Sequence, residues 1–112
     1  MNRYALQGIT SDAEKGRRVV IVAPRTEVRE ALARVESLGG ESVTRVTRSN
    51  GAERIDFASG GAVAFAGSHT GAMRGMAADV VYLADQRDGN DPRTIEDARL
   101  VTATSASGEV IR

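Results

Sequence analysis

The fold is decided by residues 17–24, which read RRVVIVAP. Five apolar residues, most of them β-branched, stand between two arginines and a closing proline. A continuous apolar run of this length is typical of a strand that is buried on both faces of a parallel sheet. Such a strand needs helices on both sides of the sheet, so this segment predicts an α/β protein.

Helices are predicted on both sides of this strand in the sequence. After it, apolar residues recur at intervals of three and four over residues 28–38, with charged residues on the opposite face. Thr26 is a suitable N-cap for this helix, and Gly39 is a suitable residue at its end. Before the strand, near-helical spacing predicts an N-terminal helical segment over residues 1–15, with a capping box that begins at Ser11.

The centre of the sequence changes to the two-residue period of half-buried strands. Polar and apolar side chains alternate over residues 43–57 on both sides of Asn50-Gly51, which is a strong hairpin signal. A second glycine-rich turn then leads into the apolar residues 62–66. We therefore predict an antiparallel β-meander over residues 43–66.

The last third of the sequence returns to the pattern of a parallel sheet. Residues 79–83 predict an apolar strand. Asp91, followed by proline, marks the start of a short helix over residues 94–99. The β-branched residues that follow predict a strand over residues 100–105, and residues 106–112 are left as a C-terminal tail.

Length and composition limit the classes of protein that this chain can be. The 112 residues suffice for one α/β domain, residues 1–112, with parallel crossovers and the antiparallel meander. Fifteen basic and fifteen acidic residues cancel, so no global field attracts DNA or an anionic membrane. The absence of cysteine excludes disulfides, zinc-thiolate sites and cysteine nucleophiles. With no signal-peptide pattern and no apolar run of membrane-spanning length, we expect a cytoplasmic protein without membrane contact.

The most informative candidate site is the segment RGMAADVVYLADQ at residues 74–86. An apolar strand that ends in acidic residues resembles the arrangement with which phosphoryl-transfer enzymes hold Mg²⁺ and orient water. Here the strand ends in Ala84 and Asp85, so only Asp85 is a candidate for such an acidic role. Arg74, between glycines on a predicted loop, could reach a phosphate bidentately or could simply solvate the turn.

Four segments, in this order, resemble the ATPase domain of phage terminase large subunits, the motors that package viral DNA. RRVVIVAPRT (residues 17–26) is similar to the strand after the P-loop helix, and AERIDFASGG (52–61) is similar to the family's hairpin. GAMRGMAADVVYL (71–83) resembles the segment that leads into the Walker B strand, and TATSA (102–106) resembles the following strand. The resemblance implies a RecA-like P-loop fold encoded by a phage or prophage, and hence a location in the host cell cytoplasm.

Two departures from the terminase pattern bear on the chemistry. No G-x-x-x-x-G-K-[ST] motif is present, so the amides, lysine and hydroxyl of a P-loop are missing. Ala84 stands where the family has its first Walker B carboxylate, and Asp85 stands in place of the catalytic glutamate. We therefore predict a pseudo-ATPase with a degenerate Walker B, without cofactor or metal, in which Asp85 is the one candidate at a catalytic position.

Loss of the P-loop also implies loss of a central strand. The strands on either side of it would then have exposed edges, which are prone to aggregation. Either these strands pair directly or another chain fills the gap, which would make the protein a homo-oligomer or part of a complex. Strand exchange through Val110 and Ile111 of the tail is one route to such an assembly.

Other chemistries have less support in the sequence. His69 is the only histidine, and a Ser-His-Asp hydrolase would need a G-x-S-x-G motif that does not occur. Asp88 and Asp91 lack the spacing of a calcium loop and are better explained as turn and cap residues. The arginines of the meander could form a basic patch, but the interleaved acidic residues favour a cross-strand charge ladder.

Three functions remain open from the sequence. The first is a catalytically inactive terminase-like domain that acts as an oligomeric binding or assembly module. The second is one part of a split DNA-packaging ATPase whose P-loop lies on another chain, with Asp85 or Arg74 completing a composite site. The third is a small nucleic-acid-binding protein that contacts phosphates through Arg17, Arg18 and Arg74, which the zero net charge does not favour.

Overall fold

A computed structural model of the chain describes residues 3–68, 73 and 76–112. Within them the chain forms a mixed six-stranded sheet and four α-helices. The helices are α1 (Arg3–Glu14), α2 (Arg25–Gly39), α3 (Gln86–Gly89) and α4 (Pro92–Thr102), and a short 3₁₀ turn covers Gly40–Ser42. The strands are β1 (Arg18–Ala23), β2 (Val43–Thr47), β3 (Arg54–Phe57), β4 (Ala62–Gly67), β5 (Val80–Leu83) and β6 (Glu109–Ile111).

The six strands lie in the order β2-β3-β4-β1-β5-β6. β1 pairs in parallel with both β4 and β5, and β5 pairs in parallel with β6. β3 pairs antiparallel with both β2 and β4. The predicted α/β class, with parallel crossovers and an antiparallel meander, is therefore confirmed.

β1 lies inside the sheet, as its sequence predicts. Every residue of the strand after Arg18 is buried. Val19 lies beside Val63 of β4 and beside Val80 of β5, so apolar pairs continue on both sides of the strand. Because helices cover both faces of the sheet here, β1 needs a continuous apolar run and not an alternating one.

The helices cover the two faces of the sheet with separate apolar clusters. On the first face, Leu6 of α1 and Leu32 of α2 belong to one buried cluster with Ile21 of β1. On the second face, Val101 of α4 shares another cluster with Val22. The molecule therefore has three layers, with the sheet in the middle.

The predicted strand over residues 100–105 is wrong, because α4 continues to Thr102. Val101 is buried against the second face of the sheet. The Thr102 hydroxyl donates to the carbonyl oxygen of Ala98 at 3.1 Å, so it is satisfied within the helix. Tertiary burial here overrides the β propensity of the local sequence.

Two predicted helix caps are also wrong, whereas a third is confirmed. α1 continues through Ser11, because buried residues on both sides of that position keep it helical. α2 has Pro24, not Thr26, at its N-cap, and no side chain caps it. Asp91 does cap α4, and its carboxylate accepts the Arg93 N–H at 3.1 Å.

The C-terminal residues, predicted as a free tail, contain β6. Val110 pairs with Val81 of β5, and Ile111 pairs with Tyr82. The described strands therefore form one continuous sheet, in which the chain's own last strand lies beside β5. Strand exchange through this segment would first require its pairing with β5 to break.

Candidate functional site

The carboxyl ends of β1, β4 and β5 lie side by side along one edge of the sheet, which we call the carboxyl edge. After β1 the chain passes to α2 on the first face, and after β5 it passes through α3 to α4 on the second face. Segments that leave adjacent strands towards opposite faces open a crevice between the strand ends, where α/β sheets usually bind ligands. The carboxyl edge is therefore the first candidate site.

Asp85, the candidate acidic residue, lies at the carboxyl edge directly after β5 and Ala84. Its carboxylate accepts the backbone N–H of Arg87 at 2.8 Å and a guanidinium N–H of Arg87 at 3.2 Å. Asp85 is thereby the N-cap of α3. Ala84 is half-buried and packs against the apolar cluster of the first face. Both residues at the end of β5 therefore have structural roles, Asp85 as a helix cap and Ala84 in the apolar cluster.

A second carboxylate near this edge, Asp88 of α3, is fully buried. The Ser68 hydroxyl, directly after β4, donates to Asp88 Oδ2 at 2.6 Å. The sequence predicts Asp88 only as a turn residue, because no motif relates two positions so far apart. Their hydrogen bond joins the segments that follow β4 and β5, on either side of β1.

Arg25 and Glu53 form a bidentate ion pair at the same edge. The two guanidinium nitrogens donate to the two carboxylate oxygens at 2.7 and 3.2 Å. Glu53 is only 6% exposed and also accepts the Gly51 N–H at 3.1 Å, while Arg25 donates to the side chain of Asn50 as well. These contacts hold the β2–β3 hairpin against the start of α2. No sequence pattern predicts this pair, although the place of Arg25, two residues after the end of a buried strand, indicates this edge.

The Arg25–Glu53 pair makes a pH-dependent contribution to stability. The hydrogen bond from Arg25 lowers the pKa of Glu53 below its ordinary value of 4.5, although burial opposes the shift. A carboxyl group with a lowered folded-state pKa stabilises the fold above its ordinary pKa, and this contribution is lost as the pH falls through the folded-state value.

We expect Glu53→Gln to lower the free energy of unfolding by about 1–2 kcal/mol at pH 7, because a neutral amide replaces the charged acceptor. The difference from the parent chain should shrink as the pH falls below 4.5. Urea unfolding at pH 7 and at about pH 3 measures both values. A difference that stays the same at the two pH values would contradict the role assigned to this ion pair.

Arg17 and Arg18, the predicted phosphate contacts, lie at the opposite end of β1 from the carboxyl edge. Arg17 Nη1 donates to Asp12 at 3.4 Å, and Nη2 donates to the Ser107 carbonyl oxygen at 3.2 Å. Glu109 of β6 lies 3.7 Å from Arg17 Nη1. These contacts tie α1 and the C-terminal strand to the start of β1, so Arg17 has a structural role.

Arg18 lines a cavity on the second face together with Arg54 of β3. The cavity has a volume of about 130 Å³. Arg54 is one of the meander arginines for which the sequence predicts a charge ladder, and its Nε does donate to Asp56 at 2.9 Å. Arg45 of β2 lies opposite Asp56, which completes the ladder. The structure thus brings together two arginines that are far apart in the sequence.

Two sequence-predicted residues, Arg74 and His69, lie outside the described residues. In the part of the chain that the structure describes, no three histidine, aspartate or glutamate side chains are grouped so that they could hold a metal ion. None of the helices in that part combines the length and the apolar character needed to cross a membrane.

Comparison with protein-family models, with curated proteins and with solved structures gives no match to this chain.

Proposed function

We propose that this chain is a terminase-ATPase-like domain that does not hydrolyse ATP by itself and serves as a binding or assembly module, phage or prophage encoded and oligomeric. The observation that carries the non-hydrolytic part of the proposal is the use of Asp85 as the N-cap of α3. The acidic side chain that follows Ala84 is thus hydrogen-bonded to Arg87 at 2.8 and 3.2 Å. If this carboxylate oriented a water molecule, that contact would compete with its hydrogen bonds to Arg87.

The order of the elements supports the terminase-like part of the proposal. A buried strand, a helix, an antiparallel meander and a second parallel strand follow one another in the order that the resemblance implies. The strand that it implies over residues 102–106 is instead the end of α4 and the turn that follows. The absence of a P-loop sequence supports the non-hydrolytic part, because a phosphate cradle and a metal carboxylate supply most of the electrostatic stabilisation in phosphoryl transfer.

The proposal is tested by the purified chain with ATP and Mg²⁺. We expect no hydrolysis above the buffer background and a particle mass above that of one chain in size-exclusion chromatography with light scattering. Hydrolysis by the chain alone would overturn the non-catalytic assignment. A monomer that is indifferent to both ATP-Mg²⁺ and DNA would overturn the assembly role. If ATP is hydrolysed only when a separate chain with a P-loop is added, the split DNA-packaging ATPase would replace the assembly role as the function.

Two variants of Asp85 separate a cap from a catalytic carboxylate. Asp85→Ala should lower the free energy of unfolding by about 1 kcal/mol, because the Arg87 N–H loses its acceptor. Asp85→Asn should restore most of this stability, since asparagine caps helices about as well as aspartate. If both variants unfold like the parent chain in urea, the cap has no importance and the carboxylate is available for another role.

A further inference from the structure

The cavity between Arg18 and Arg54 is built on the short side chains of β4. Arg18 of β1 lies beside Ala62, and Arg54 of β3 lies opposite Ala64, so the two arginines flank β4 from its two sides. The apolar residues Val20, Met76 and Ala77 also line the cavity. Because the side chains of β4 between the arginines are only methyl groups, the space above them is open.

Both guanidinium groups are held in place by a carboxylate on one side only. Arg18 Nε lies 3.6 Å from Asp79 Oδ2, and Arg54 Nε donates to Asp56 Oδ1 at 2.9 Å. Each arginine side chain is about half exposed, at 48% and 51%. Within residues 3–68, 73 and 76–112, the terminal nitrogens of both arginines make no hydrogen bond, and each meets its carboxylate through Nε. Two oriented sets of N–H donors therefore border one cavity.

The chemistry of these donors selects a tetrahedral oxyanion. Planar guanidinium groups donate pairs of N–H bonds, and a phosphate has enough acceptor oxygens to receive such pairs from two arginines at once. Asp79 and Asp56 balance the charges of Arg18 and Arg54, but Arg45 stands opposite Asp56 on the same face and adds a third cation. Three arginines thus stand against two aspartates among these residues, which leaves one positive charge.

We infer that the cavity between Arg18 and Arg54 binds a phosphate group. This site is separate from the carboxyl edge and does not depend on whether the domain assembles or hydrolyses ATP. A volume of about 130 Å³ accommodates one phosphate group and little beyond it. The phosphate could belong to a free ion, to a nucleotide or to a nucleic-acid backbone, and the experiment distinguishes these sources.

The site is tested by titrating the ¹⁵N-labelled chain with inorganic phosphate and following its amide resonances. We expect saturable shifts at Ala62 and Ala64 in the millimolar range or below. Arg54→Gln should weaken binding at least about tenfold, because one of the two guanidinium groups is lost. Arg34→Gln is the matched control: it removes the same charge from an exposed pair with Glu30 on α2, and it should leave binding unchanged.

Two further titrations identify the source of the phosphate. Adenosine monophosphate and an oligothymidylate without a terminal phosphate are compared with inorganic phosphate. Tighter binding of the nucleotide indicates a phosphate monoester, and tighter binding of the oligonucleotide indicates a nucleic-acid backbone. Absence of saturable shifts with all three probes would overturn the site, as would equal weakening by Arg54→Gln and Arg34→Gln. Neither result bears on ATP hydrolysis or particle mass, so this inference and the proposed function fail separately.

Discussion

Replacement of Gly61 by alanine is expected to lower the free energy of unfolding by about 3 kcal/mol or more. Gly61 lies directly before β4, where its backbone packs on the end of α1. A Cβ atom at this position would overlap the carbonyl group of Ala13 and lie 2.8 Å from the carbonyl oxygen of Arg17. Both obstacles are backbone atoms, so a change of side-chain rotamer cannot relieve the overlap. Either α1 or the start of β4 must move.

The neighbouring contacts make such a movement costly. The Ser59 hydroxyl donates to the Ala13 carbonyl oxygen at 2.6 Å, and the Gly61 N–H donates to Ser59 Oγ at 3.1 Å. The Ala62 N–H donates to the Arg17 carbonyl oxygen at 3.2 Å. A displaced α1 would lose the hydrogen bond from Ser59 together with part of the burial of Leu6 and its neighbours, and a displaced start of β4 would lose the other two hydrogen bonds.

Gly8→Ala is the matched control for Gly61→Ala. Gly8 lies within α1, and a Cβ atom there would meet nothing within 4 Å. Alanine should therefore stabilise the chain by about 0.5–1 kcal/mol, because glycine loses more backbone entropy in a helix. Urea unfolding of both variants gives the two values. A Gly61→Ala chain within about 0.5 kcal/mol of the parent would show that α1 does not pack as described.

Asp79→Ala is expected to lower the free energy of unfolding by about 2 kcal/mol, because the carboxylate holds two other segments of the chain through hydrogen bonds. Asp79 Oδ2 accepts the Arg18 N–H at 2.8 Å, and Oδ1 accepts the Ser105 hydroxyl at 2.7 Å. Its backbone carbonyl oxygen accepts the Glu109 N–H at 2.9 Å. The start of β1, the segment after α4 and the start of β6 therefore all meet at this residue.

The Asp79 contribution should also depend on pH. The Arg18 backbone N–H, followed by the Ser105 hydroxyl, lowers the pKa of Asp79 below its ordinary value of 3.8. The stabilisation is therefore complete above that value and disappears as the pH falls through the folded-state pKa. Urea unfolding of the parent and the variant at pH 7 and at about pH 2 should give a smaller difference at the lower pH.

Glu30→Ala is the control for Asp79→Ala, because it also removes one carboxylate that is paired with an arginine. Glu30 lies 2.8 Å from Arg34 on the exposed surface of α2. Such a pair contributes only about 0.3–0.5 kcal/mol, since water screens both charges. If both substitutions lower the free energy of unfolding equally, the contacts of Asp79 contribute no more to stability than an exposed ion pair does.

The elements that the sequence predicts well are those with a distinct hydrophobic period. β1 is a continuous apolar run, α2 has apolar residues three and four apart, and the meander alternates around Asn50-Gly51. The prediction of a strand over residues 100–105 was wrong because a short β-branched segment can form either a strand or part of a helix. The burial of Val101 on the second face of the sheet favours the helix. That burial depends on residues elsewhere in the chain, which local propensity does not contain.

The candidate site was predictable in position but not in its contacts. The pattern around residues 79–86 predicts a strand over residues 79–83 that is followed by Ala84 and Asp85, and the structure has a strand at Val80–Leu83. The hydrogen bonds between Asp85 and Arg87 depend on α3, which has only four residues and is too short to show a hydrophobic period in the sequence. The ion pair of Arg25 with Glu53 and the shared cavity of Arg18 and Arg54 arise from tertiary approach, which a single sequence does not specify.

The place of β1 between β4 and β5 has a consequence for synthesis on the ribosome. Both partners of β1 are made long after it, since they begin at Ala62 and Val80. Until then its β-branched run has two unpaired edges and is a template for cross-β association with other nascent chains. Two arginines precede this run and Pro24 follows it, as charged and proline gatekeepers do. We therefore expect these residues to limit aggregation of the chain before its sheet forms.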